Sequence, residues 1–156
     1  MSRDQKSPPR ALAVPKPPIS PTGYSGTPLA QKLGLKPGYE IRLIEAPEYY
    51  RSLFASWPDD IKQLDANGGK KDFLHYFVTN AAALRQALPV LKKEMRPAAC
   101  LWISWPKKAA KFPTDVDENL IREAALATGL VDVKVCAIDE KWSGLKLVIP
   151  VKQRTK

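Results

Sequence analysis

The sequence predicts an α/β domain on a mainly parallel sheet, and three observations carry that prediction. From Tyr39 onward, apolar segments of strand length alternate with segments of helical periodicity. The segment "AACLWISW", residues 98–105, is apolar almost throughout, as a strand buried on both faces must be. The last two strand-like segments, "VDVKVCAI" and "GLKLVIPV", are separated only by "DEKWS", which suits an antiparallel hairpin.

Each element has its own signal. Thr27 and Pro28 form a helix start, Gly34 suits the left-handed residue that closes it, and Pro37-Gly38 is a turn. "YEIRLIE" puts Tyr39, Ile41 and Leu43 on one face and Glu40, Arg42 and Ile44 on the other, a half-exposed strand. "EYYRSLFASW" carries Tyr50, Leu53, Phe54 and Trp57 at helical spacing and is stopped by Pro58. "DDIKQLDANGGKK" is polar and is read as a loop. "DFLHYFVT" is an apolar strand. "NAAALRQALPVLKKEM" is a helix striped by Leu84, Leu88, Leu91 and Met95, which Pro89 is expected to kink or divide. In "TDVDENLIREAALATG", Thr114 and Asp117 have capping-box spacing and Gly129 ends the helix.

Strand character suggests an order. The first and fourth strands alternate as edges do, and the others are more apolar. The order 1-2-3-5-4, with strand 5 antiparallel, places the alternating strands at both edges. The expected fold is therefore a small Rossmann-like three-layer sandwich with a five-stranded, mainly parallel sheet. That order resembles the C-terminal half of a class I methyltransferase sheet. The resemblance implies a glycine turn after the first strand, but the residues there are Glu45-Ala46-Pro47-Glu48. It also implies a second strand with a ribose-binding acid, for which the sequence between Glu45 and Asp72 offers no obvious room. A conventional S-adenosylmethionine site is not expected, and no cofactor is assigned.

A closer resemblance rests on "GYSGTPLAQKLGLKPG", "WPKK", the "TD" helix cap and "GLVDVKVCAIDEKWSGLKLV". These are similar to a small bacterial family, domain-of-unknown-function family 3052, over roughly residues 23–150. The family implies a fold and no catalytic residue.

Residues 1–22 hold six of the 15 prolines and are expected to form a disordered arm; 23–151 form the domain, and 152–156 a basic tail. Of the net charge of +9, residues 1–23 carry +3 and the tail another +3. Such tails give weak, non-specific contact with polyanions, and no nucleic-acid-reading motif accompanies them. No apolar run is long enough for a bilayer and the N-terminus lacks an apolar signal region, so a cytoplasmic location without membrane contact is expected. Cys100 and Cys136 lack metal or redox spacing and are read as free thiols in strands.

In open α/β sheets, ligands bind beyond the carboxyl ends of the parallel strands. That rule nominates Glu45, Thr79, Trp105, Lys107 and Lys108, joined by Trp142 from the hairpin turn. Lysines beside tryptophans and a hydroxyl suit a small anionic ligand with a planar or apolar part. The competing reading makes the lysines a solvated edge and the tryptophans packing. His75 reads as a satisfied core histidine, Glu45/Glu48 and Asp115/Asp117 as helix-start charges, and Lys70-Lys71 and Lys92-Lys93 as solvated charges. No catalytic constellation or metal ligand set is evident. The function expected is a non-enzymatic module binding a small anionic ligand or a protein partner at the carboxyl rim. The alternative is a degenerate methyltransferase-like transferase with an unconventional site.

Overall fold

The computed structural model describes residues 28–154. The arm 1–22, the Thr27 cap and residues 155–156 of the tail lie outside these. Six strands form one sheet: β1 (Glu40–Ile44), β2 (Lys62–Gln63), β3 (Lys71–Phe77), β4 (Met95–Pro106), β5 (Val131–Ala137) and β6 (Trp142–Val148). Their order is β2-β1-β3-β4-β6-β5, with β6 antiparallel to both neighbours. The order foreseen for five strands is contained in this one. The correction is β2, which pairs in parallel with β1 through Glu40–Lys62 and Ile41–Gln63 and displaces β1 from the edge. Two exposed polar residues carry no strand pattern of their own. Register against β1 makes this strand.

Side-chain alternation divides the interior into two cores. On one face, Leu74, Tyr76, Leu101, Ile103, Trp105, Leu145 and Leu147 pack under α2 (Ala81–Lys93) and α3 (Glu118–Thr128). On the other, Ile41, Phe73, Phe77, Cys100, Trp102 and Trp142 are covered by α1 (Leu29–Leu33), Tyr50 and Phe54. Burying the β4 side chains on both faces accounts for its unbroken apolar run.

Local chemistry sets the element ends. Gly34 and Gly129 close α1 and α3 in left-handed conformations, φ 78° and 90°. Asn80 caps α2 by accepting from the Ala83 amide, and Asp117 caps α3 by accepting from Leu120. Thr114 is therefore not the cap of α3; its hydroxyl donates to the Thr79 carbonyl instead. The helix α2 runs through Pro89 without dividing. The helix foreseen over Tyr50–Trp57 is a single 3-10 turn, Tyr50–Leu53. Its aromatic spacing reflects a cluster, in which Tyr50, Phe54 and Trp57 pack edge to face.

Two charges read as solvated are not. Lys71 is wholly buried and donates to Glu94 at 2.8 Å, and Glu94 also accepts from Arg42 at 2.5 Å. Lys92 donates to the Thr128 carbonyl at the end of α3, which ties the two helices together.

Candidate functional site

The carboxyl rim begins just after β1, at Glu45, whose φ of 57° is a left-handed conformation rarely adopted by residues with a side chain. Glu45 is exposed and lines a hollow of about 330 Å³ between β1 and α2, with Ile44, Tyr76, Ala83 and Gln86. None of the other five candidate residues lines that hollow. Burial, then the Glu45 carboxylate, raises the Tyr76 phenol above its ordinary value.

The ends of β3 and β4 are joined by the loop that follows Lys108. The Thr79 carbonyl accepts from the Thr114 hydroxyl at 2.8 Å, and Asp115 accepts from the Ala81 amide at 2.7 Å. The Lys107 amide donates to the Lys141 carbonyl at 2.7 Å, fastening the end of β4 to the hairpin turn. Asp139 orders that turn by accepting from the amides of Lys141 and Trp142, each at 2.8 Å. The Lys141 ammonium lies 4.1 Å from the Phe112 ring centre and 5.2 Å from that of Trp142. Thr79, Lys107 and the turn thus belong to one connected rim.

The two tryptophans do not wall a common crevice. Strand pairing sets Trp142 opposite Pro106 and Trp105 opposite Ser143, so the two rings take opposite faces of the sheet. Trp105 is buried in the core under α2 and α3, and Trp142 in the core under α1. The Trp142 ring meets Phe77 edge to face at 5.0 Å, and its indole N–H donates to the Tyr49 hydroxyl at 3.1 Å. Both tryptophans are packing residues, and Trp142 alone touches the rim through Tyr49.

The lysines also separate. Lys108 is exposed, whereas Lys107 is half-buried and its ammonium nitrogen is out of contact with solvent. Among the described residues, this is the one buried side-chain nitrogen or oxygen that has no hydrogen-bond partner. An ammonium carries three donors, and sequestering it without an acceptor is costly. The sequence singled out Lys107 by position; nothing in it signalled that the charge would be buried.

His75 lies below the rim in β3 and is completely buried. It is satisfied on both ring nitrogens, by the Tyr50 hydroxyl at 2.9 Å and the Ser104 hydroxyl at 2.7 Å. Burial lowers its pKa from 6.5 to about 3, so the ring is neutral. Ser104 is also wholly buried, so this chain of hydroxyl, imidazole and hydroxyl organises the core and offers no accessible nucleophile. No group of three His, Cys, Asp or Glu suited to a metal occurs among the described residues.

A nucleoside cofactor on such a sheet is usually held by a glycine turn after the first strand and by an acid about 20 residues on. The first requirement is not met. Glu45-Ala46-Pro47-Glu48 presents carboxylates where a backbone would approach the cofactor, and the Tyr50 turn packs where a helix would begin. The second is met in outline: β2 runs beside β1 and leads through Leu64 into the exposed Asp65, 20 residues after Glu45. The strand for which the sequence showed no room is therefore present, shortened to two residues. The usual cradle still does not fit the first turn.

No family model matches the chain, so the resemblance to domain-of-unknown-function family 3052 stands on the quoted motifs alone. No curated protein matches it in sequence. Solved structures match in fold. A protein described as a type 11 methyltransferase from Sulfolobus solfataricus superposes with a TM-score of 0.55 at 13% identity, covering 82% of this chain and 90% of the other. The ribosomal protein L11 methylase from Lactobacillus delbrueckii subsp. bulgaricus gives 0.52 at 12% identity, covering 77% and 74%. A protein described as a methyltransferase from Thermoplasma acidophilum gives 0.50 at 8% identity, covering 78% and 72%. The chain has a methyltransferase-like fold. No helix among the described residues is long and apolar enough to cross a membrane.

Proposed function

We propose that this chain is a degenerate methyltransferase-like domain that binds a small acidic molecule at its carboxyl rim, with Lys107 as counter-ion. The observation that carries the reading is the buried Lys107 ammonium without a partner. An anion at the rim would supply the missing acceptor once the half-buried side chain turned toward it, and a charge-assisted bond is among the stronger hydrogen bonds. Thr79 and the Asp139 turn frame the same rim, and Lys108 adds an exposed positive charge near its mouth.

Transfer chemistry gains support over a purely non-enzymatic module from two features: the methyltransferase-like fold, and β2 with Asp65 two residues beyond its end. Fold alone does not fix function. A second reading, favoured by Asp65, keeps an S-adenosyl cofactor bound through its ribose despite the altered first turn.

Isothermal titration of the full chain separates the two. The first reading expects no binding of S-adenosylmethionine or S-adenosylhomocysteine tighter than about millimolar, together with saturable binding of malonate or phosphate that Lys107→Met weakens. Micromolar binding of either S-adenosyl compound, lost on Asp65→Ala, establishes the second. Absence of any malonate or phosphate binding, or binding that Lys107→Met leaves unchanged, overturns the first.

A further inference from the structure

The opposite end of the sheet holds a hollow of about 550 Å³, within the range of small-molecule sites. It lies where α2 and α3 end and the C-terminal segment returns. Lys70, Lys92, Lys93 and Arg154 line it, and no acidic residue does. Its apolar lining includes Met95 and Ile149.

Two of the cations are held in place by the fold. Lys92 donates to the Thr128 carbonyl at 3.0 Å, and the Arg154 Nε donates to the Ile149 carbonyl at 2.9 Å. Each bond uses one donor of three on the ammonium and one of five on the guanidinium, leaving the others for a ligand. Helix C-termini alone would repel an anion, but each contributes only about half a negative charge. Two such ends are outweighed by four full positive charges. The shape is that of a pocket with an apolar wall rather than a stripe, which suits one small molecule better than a polymer backbone.

We infer that this hollow is a second binding site, independent of the rim, for a small organic dianion: a phosphate monoester or dicarboxylate joined to an apolar body. The headgroup pairs with Arg154 and the free donors of Lys92 and Lys93, and the apolar body lies against Met95 and Ile149. A rigid pair of cations already fixed by backbone carbonyls reduces the ordering cost of binding.

Phenyl phosphate is the probe, titrated calorimetrically into the full chain, with inorganic phosphate measuring the headgroup alone. Phenyl phosphate should bind several-fold tighter than phosphate. Lys93→Gln with Arg154→Gln should weaken it by about tenfold or more. Lys70→Gln with Lys93→Gln changes only exposed side chains and should weaken it several-fold with the melting temperature unchanged. In Lys107→Met, which removes the counter-ion proposed for the rim, one saturable phenyl phosphate site should remain. Absence of saturable binding, equal affinity in both double variants and the parent, or loss of all phenyl phosphate binding in Lys107→Met would each overturn the inference.

Discussion

Lys71 Nζ lies 2.8 Å from Glu94 Oε1 at the foot of the sheet, with the lysine wholly buried and the glutamate nearly so. Arg42 completes the arrangement from β1, so one carboxylate satisfies two cations. Removing the carboxylate leaves Lys71 unpaired in the interior. Glu94→Ala should therefore cost roughly 3–5 kcal/mol in urea unfolding. Lys71→Met, which removes the deepest charge and leaves Glu94 with Arg42, should cost much less. Equal losses in the two variants would mean that the pairing is not what holds this corner.

Acid should weaken the protein through His75. Its pKa falls from 6.5 to about 3 because burial disfavours the charged ring. The unfolded chain takes up a proton below 6.5 that the folded one refuses until about 3. Its neutral burial therefore costs nothing above 6.5, and stability declines as pH falls from 6.5 toward 3. Chemical unfolding of His75→Gln at several pH values should show a flatter slope in that window. An unchanged slope would assign the acid sensitivity to other groups.

The tryptophans should behave as packing residues of different kinds. Trp105→Ala opens the core under α2 and α3 and should cost roughly 3–5 kcal/mol. Trp142→Phe keeps the ring contact with Phe77 and loses the bond to Tyr49, so it should cost only about 1 kcal/mol. Urea midpoints at constant slope would check both values.

Periodicity made most of the sheet legible. The unbroken apolar run Ala98–Trp105 pointed to a central strand, and the short "DEKWS" connection pointed to β5 pairing with β6. What escaped had no side-chain pattern to reveal it. The strand Lys62–Gln63 exists by pairing with β1, and the turn at Tyr50 imitated a helix because a tertiary aromatic cluster has the same spacing. The site was legible in position only. Rim geometry pointed to Lys107, but register put Trp105 and Trp142 on opposite faces, and whether a lysine is sequestered depends on the whole fold. Lys71 shows the same limit, since a lysine at a strand start ordinarily marks the return to solvent.

The most direct test is the thermal stability of parent and Lys107→Met, each measured with and without malonate or phosphate. If Lys107 is an anchor awaiting an anion, removing its unpartnered ammonium relieves a cost present in the free protein. The variant alone should then be more stable than the parent, by roughly 1 kcal/mol or more. It should also lose the rise in melting temperature that the anion produces in the parent at the rim. A variant less stable than the parent, or one that keeps the full anion-induced rise, would contradict the account.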